Sequence, residues 1–175
     1  AQHFSETLNI PFALRSERVS EYARKNGMSE ELAGRELRYA FFNEFLKEHG
    51  FNKIATAHNR NDNAETILMN FVRGSGIKGL CGIPHRRGNI IRPILDIERS
   101  EIEEFCAKNG LSYVTDSTNN QKVYTRNKIR LELIPEIEKL LNPNFVTTVT
   151  ENARLIKSDA EFIEDAAKTA YHDNV

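Results

Sequence analysis

The chain has 175 residues, 39% hydrophobic, 9% aromatic and 28% charged, with a net charge of −1. That balance excludes an intrinsically disordered tail and predicts a globular domain with a real core. No run approaches the about 18 to 20 apolar residues a membrane helix needs, and no basic-then-apolar leader opens the chain, so the expectation is a cytoplasmic protein with no membrane association. The near-neutral charge means that any RNA partner must be held by local basic clusters rather than by a global field. Cys81 and Cys106 are the only cysteines and stand far apart, so no C-x-x-C pair is available for zinc or an iron–sulfur cluster.

In chain order, residues 1–9 suit the end of a helix, and Ile10–Leu14 (IPFAL) read as a short strand. A helix over Val19–Asn26 should end at Gly27. Ser29 is a suitable N-cap, with Glu30 and Glu31 in the first turn, for a helix running to about His49. Its Ala33, Leu37, Ala40, Phe41 and Phe45 share one face, and Gly50 supplies the stop. Lys53–Ala57 (KIATA) read as a buried strand. Strand, long helix, strand is the pattern of a right-handed crossover, so the predicted class is α/β, a parallel sheet with helices on both faces.

A further helix is expected over about 63–73, Ile90–Leu95 as a strand with Pro93 marking an edge or end, and an amphipathic helix over 100–109 stopping at Gly110. Tyr124 to about Leu133 should be helical until Pro135, which biases Ile134 away from helical geometry and starts a separate turn. Beyond Asn142-Pro143-Asn144, the apolar positions Val149, Ala153, Ile156, Ala160, Ile163, Ala167 and Ala170 alternate spacings of four and three. That is one long helix with a narrow seam, which packs on its own domain, links to another or makes a dimer contact.

Ligands of open α/β sheets sit beyond the carboxyl ends of the strands, which directs attention to the segment after KIATA. There His58 is followed by Asp62, a candidate N-cap, and by Glu65 three residues on. The two acids are either a capping pair or, with His58, line a crevice where imidazole meets a nucleotide and carboxylates hold Mg²⁺ or orient an amine. The glycine-rich stretch 73–84 either caps and turns the chain or forms an anion-binding concavity. Arg126 and Arg130 stand at i and i+4, a repulsive spacing that a bridging anion relieves. Phosphate is one candidate, and Glu132 and Glu136 are competitors close in sequence. Arg35 and Arg38 share a side of the long helix and either face solvent or contact ATP or an RNA backbone. Asp116 and Asn119 in TDSTNN form either a turn or a capping element.

Taken together, these blocks resemble the tRNA(Ile)-lysidine synthase family. They are A-H at Ala57-His58, D-x-x-E-T at Asp62 to Thr66, and N-x-x-R-G-S-G-x-x-G-L at Asn70 to Leu80. AGRELRY (33–39), IIRPILD (90–96), TDSTNN (115–120) and YTRNKIR (124–130) add to them, so the resemblance spans about 33–135. It implies an adenine nucleotide alpha hydrolase-like, partial Rossmann-like sheet followed by a helical C-terminal part. It also implies ATP and Mg²⁺ as cofactors and, as partners, free L-lysine and the anticodon loop of tRNA(Ile). In the reaction it implies, ATP adenylates C2 of the wobble cytidine and the lysine ε-amine displaces AMP to give lysidine.

Carried over by motif, His58, Asp62, Glu65 and Arg73 are catalytic candidates, with Asp62 also a candidate Mg²⁺ ligand. Arg35, Arg38, Lys78, Arg126 and Arg130 are candidates for tRNA or phosphate. The expected division is 1–98 as a partial nucleotide-binding domain, 99–143 as its helical continuation and 144–175 as a linker helix. The family's S-G-G-x-D-S loop does not occur here, so roughly two strands with their helices are expected to precede residue 1, and the chain alone is expected to lack synthase activity. A truncated sheet also makes a homodimer an expectation. Two other readings compete: a related ATP-dependent modifier such as a 2-thiocytidine synthetase, which needs paired cysteines, and a tRNA-binding or assembly module without catalysis.

Overall fold

The computed structural model describes residues 1–114 and 125–172. TDSTNN, with the expected turn at Asp116 and Asn119, lies outside the described residues, as does Tyr124. The chain divides into two compact units, Ala1–Ile54 and Ala55–Val175.

The first unit holds α1 (Gln2–Thr7), α2 (Val19–Asn26) and α3 (Glu30–Glu48). Local chemistry places these helices as expected: α2 stops at left-handed Gly27, and the Ser29 hydroxyl accepts the Leu32 N–H at the start of α3 at 3.3 Å. α2 packs on α3, burying Ala23 and Ala33. The expected apolar stripe of α3 is only half covered, and Ala40 is exposed. Ile10–Leu14 form no strand; Ile10 and Leu14 are 55% and 80% exposed. Strand backbone must pair with a neighbour, and no described segment pairs with this one. The stretch is instead tethered by Arg15, which meets Glu44 at 2.6 Å and lies over the Phe41 ring.

The second unit opens on β1 (Ile54–Ala55), at whose middle the division falls. It continues through α4 (Arg60–Val72), α5 (Ile77–Leu80), β2 (Arg86–Arg87), β3 (Ile90–Ile91), α6 (Arg99–Lys108), α7 (Thr125–Lys128), a π turn (Ile129–Leu133), α8 (Ile134–Leu140) and α9 (Phe145–His172). The strands form one sheet in the order β1-β3-β2, with β2 and β3 antiparallel, Arg86 opposite Ile91. This corrects the expected parallel sheet at β2 and β3. Gly88-Asn89 turns the chain between two strands only two residues apart, and so short a link permits only antiparallel pairing. KIATA is likewise not a buried strand. Only Ile54 is buried, Ala55 is exposed, and pairing beyond β1 consists of Thr56 N–H donating to Ile91 O at 3.0 Å.

Helical packing supplies the core. Ala64, Ile129, Ile134 and Val146 are buried together, flanked by Leu68, Met69, Phe145 and Val149. Each fully buried aliphatic side chain contributes about 1.5 to 3 kcal/mol. α4 ends in a Schellman motif: Ser75 N–H donates to Asn70 O and Gly74 N–H to Phe71 O, with Gly74 at φ 75°. Pro135 does not end the helix before it. Ile134 is helical at φ −59°, ψ −50°, and its N–H reaches back five residues to Ile129 O. The wider π turn moves carbonyls out of the proline ring's way, so α7, the π turn and α8 run on continuously. α9 packs its first half, burying Val146 and Ala153, while Ile163, Ala167 and Ala170 of the seam are exposed. Among the described residues no helix is long and apolar enough to cross a membrane.

Candidate active site

The start of α4 positions the acids. Its N-cap is Asn59 rather than Asp62: Asn59 Oδ1 accepts the Asp62 N–H at 3.0 Å, and Asp62 Oδ2 accepts the Asn59 N–H at 3.1 Å. This is a complete capping box with Asp62 as its third helical residue, and it corrects the expected Asp62–Glu65 pair. Both Asn59 and Asp62 are good caps three residues apart, so local propensity alone does not choose between them. With the box closed by Asn59, Glu65 has no capping duty and lies one turn further along the Asp62 face.

Glu65 is only 1% exposed, and its charge is met by the chain itself. Arg126 Nε donates to Glu65 Oε2 at 2.7 Å, and Arg130 Nε donates to Glu65 Oε1 at 2.6 Å. Arg130 Nη2 also donates to Glu65 Oε2 at 3.1 Å and to Asp62 Oδ1 at 2.9 Å, and Arg126 Nη2 reaches the same Asp62 oxygen at 3.2 Å. Two carboxylates and two guanidiniums thus form one neutral, hydrogen-bonded cluster joining α4 to α7 and the π turn. A buried carboxylate without such partners would protonate or unfold the site. The anion bridging the arginine pair comes from residues more than 60 positions away, not from the neighbouring acids at 132 and 136. Burial works against the Arg130 charge, but the Glu65 hydrogen bond and charge, then Asp62, outweigh it and raise its pKa above the ordinary arginine value.

Exposure separates the roles of the two acids. Glu65 is enclosed, whereas the Asp62 side chain is 17% exposed, and the arginines are 25% and 32% exposed. Asp62 Oδ2 accepts one backbone N–H in these bonds, and the Nη1 groups of both arginines take no part in them. The cluster therefore presents an acceptor edge beside two donor edges.

The other candidates are distributed more widely. His58 precedes the Asn59 cap, at the same end of α4 as Asp62, and its Nδ1 shares a 2.9 Å hydrogen bond with Thr56 Oγ1. Arg73 caps the opposite end of α4, about 16 Å along the axis from Asp62 at 1.5 Å per residue, and is exposed. Lys78 lies in α5 and pairs with Glu164 of α9 at 3.0 Å. Arg35 and Arg38 are exposed on α3, Arg35 lying over the Tyr39 ring. Asn63 and Asn70, which are not among the site candidates, order the glycine-rich stretch. Asn63 Oδ1 accepts the Ile83 N–H at 2.7 Å, and Asn70 Nδ2 donates to Gly79 O at 2.8 Å. A Cβ on Gly82, which has φ 70°, would lie 2.3 Å from Asn63 Oδ1, so glycine is required there. The signal for Asn70 lay in its place at the head of N-x-x-R-G-S-G.

The donor set at Asp62 does not fit Mg²⁺. Octahedral Mg²⁺ needs several hard oxygen donors; Asp62 Oδ1 faces two guanidiniums, which leaves Oδ2 as a single carboxylate oxygen, too few by itself. Among the described residues no group of three His, Cys, Asp or Glu side chains is arranged to hold a metal.

A profile of the PP-loop domain matches residues 1–137. The chain is 44% identical over 165 residues to a tRNA(Ile)-lysidine synthase of Caldanaerobacter subterraneus subsp. tengcongensis, covering 94% of this chain and 35% of that protein. It is 43% identical over 171 residues to one of Clostridium perfringens and 43% over 169 to one of Clostridioides difficile. It thus spans about a third of the length of the curated relatives it matches. Among solved structures, a U34-tRNA thiolase of Methanococcus maripaludis with a [4Fe-4S] cluster superposes with a TM-score of 0.67. That match has 18% identity and covers 89% of this chain and 55% of that one. At that identity the likeness concerns the fold alone.

Proposed function

We propose, from the premise that the chain belongs to the PP-loop domain family, that it is the part of a tRNA(Ile)-lysidine synthase in which the wobble cytidine meets lysine. PP-loop membership implies ATP binding. In this reading ATP adenylates the oxygen on C2 of the cytidine with release of diphosphate, and the lysine ε-amine attacks C2 and displaces AMP. The observation that carries the reading is the acid–arginine cluster, formed by residues of the D-x-x-E-T and YTRNKIR blocks.

Asp62 is the acid suited to the substrate amine, because it is the more exposed one and Oδ2 retains acceptor capacity. It would hold the ammonium and receive the proton that leaves as the amine becomes a nucleophile. Glu65 would hold both arginines in place through its hydrogen bonds, acting as a positioning residue. The unused Nη1 edges of Arg126 and Arg130 suit phosphate oxygens of ATP or of the anticodon loop. His58, on the same end of α4, would border the nucleotide. Arg73, Lys78, Arg35 and Arg38, outside this cluster, suit contacts to the tRNA backbone, where each would tune affinity without base specificity. Any Mg²⁺ would be carried by the nucleotide's own phosphate oxygens.

The thiolation alternative draws on the fold likeness, but its chemistry calls for clustered cysteines. Cys81 and Cys106 are free, half-buried thiols, the former donating to Ile77 O and the latter on α6. A full-length chain of the relatives' extent carrying this segment tests the reading: it should transfer radiolabelled lysine, with ATP, to tRNA(Ile) transcripts with C at the wobble position and not to those with A or G. Equal labelling of all three, or labelling without ATP, would contradict it.

A further inference from the structure

α4 presents a second chemistry on its other side. The face carrying Arg60 and Asn63 is centred about 160° around the helix from the face carrying Asp62 and Glu65, at 100° per residue. With the Cys81–His85 stretch, Asp96 and the Thr150–Lys157 part of α9 they enclose a cavity of about 440 Å³ that contains neither acid nor arginine of the cluster. Its volume lies in the range of sites for small organic ligands.

The wall carries a surplus of donors. The Arg60 side chain is 23% exposed, and its guanidinium makes one long hydrogen bond, to Thr147 Oγ1 at 3.3 Å, with Glu98 no closer than 3.6 Å. Lys157 has its carboxylate partner, Glu161, at 3.7 Å, beyond hydrogen-bond reach. Arg154 pairs with Glu151 at 2.9 Å, and the other lining acid, Asp96, is taken by His85 at 2.7 Å. Behind the Pro84–His85 wall sits Arg92 of the IIRPILD block, 5% exposed. Its Nη1 donates to Pro84 O, its backbone N–H donates to His85 O, and its Nε has no acceptor. No described carboxylate pairs with it. A buried cation with no carboxylate partner among the described residues raises the positive potential of the space beside it. Ile83, Pro84 and His85 give the lining a partly apolar stretch.

We propose that this cavity is a phosphate subsite for a ribonucleotide unit, with Arg60, Arg154 and Lys157 holding the phosphoryl group and the 83–85 wall bordering the sugar or base. The phosphate preference rests on the donors alone; the ribonucleotide rests on the functional reading above. Two sources share this chemistry, a free nucleotide and the backbone of an RNA strand.

Amide chemical-shift titration of the 175-residue chain tests it with inorganic phosphate, AMP and a short single-stranded oligouridylate. Saturable shifts at Asn63, His85 and Thr150 are expected with all three. Oligouridylate binding tighter than AMP assigns the site to RNA backbone, and AMP binding as tightly assigns it to a free nucleotide; either supports the subsite. Arg154 and Lys157 are exposed, so Arg154→Gln with Lys157→Gln should leave the fold intact and weaken binding about tenfold per cation removed. Lys157→Arg should retain it. No saturable shift at these residues, shifts confined to Arg126 and Arg130, or unchanged affinity in the double variant would each overturn the proposal. None of these results depends on lysine transfer, so failure here leaves the reaction to stand or fall on its own test.

Discussion

Glu65 and Asp62 illustrate how one side chain's surroundings set its work. The enclosed Glu65 carboxylate accepts three guanidinium hydrogen bonds and ties α7 and the π turn to α4. Glu65→Gln would leave two arginines facing a neutral amide, and breaking a buried pair in this way costs about 3 to 5 kcal/mol. Urea unfolding of the variant should show a loss of that order, and an unchanged midpoint would contradict the structural role. The sequence motif D-x-x-E-T drew attention to both acids. It did not reveal that their partners are Arg126 and Arg130, because a contact across more than 60 residues leaves no local pattern. The capping error has a different origin: Asn59 and Asp62 have equal chemical aptitude, and the choice between them depends on where the chain leaves the strand.

Among the elements, those bounded by local backbone chemistry were legible: Ser29 opens α3, and Gly27, Gly50 and Gly110 close helices by taking left-handed φ. Strands were legible only in part: β1 falls within KIATA and β3 opens the expected Ile90–Leu95 strand, but both are two residues long, and IPFAL forms none, because a strand requires partners that composition does not show. β2 was missed because Arg86-Arg87 do not look like strand residues, although Gly88-Asn89 was a hairpin signal. Lys78 of α5 meets α9 in its C-terminal half, at Glu164. The Lys78 hydrogen bond and charge, aided by Lys168, lower the Glu164 pKa below the ordinary 4.5. A lowered pKa means that the contact contributes above that value and is lost as pH falls through the lowered one. Glu138 on α8 behaves oppositely: burial, then the Glu98 charge, raise its pKa, so its ionised form costs stability at neutral pH and the cost disappears on acidification. Melting temperatures against pH should show Glu164→Gln less stable than the parent near neutrality and Glu138→Gln more stable. The Glu138 difference should close as pH falls through its raised pKa, and the Glu164 difference only at lower pH, beyond its lowered one. Differences that persist beyond those points would refute the electrostatic assignment.

At the scale of the whole molecule, the second unit uses α4 as an axle, with the acid–arginine cluster on one side and the donor-rich cavity on the other. The α/β class and the long C-terminal helix could be read from periodicity. The sheet's three short strands and antiparallel pair could not, because two-residue strands carry too little pattern. The central step of the proposed reaction is the action of the Asp62 carboxylate on the amine that attacks cytidine. The most direct test is steady-state lysine transfer to tRNA(Ile) by a full-length chain carrying this segment, comparing the parent with Asp62→Asn at matched thermal stability. The account predicts a fall in kcat of about 10²-fold or more, the usual scale for losing a general base, with the KM for tRNA little changed. Transfer by Asp62→Asn at the parental kcat would contradict it.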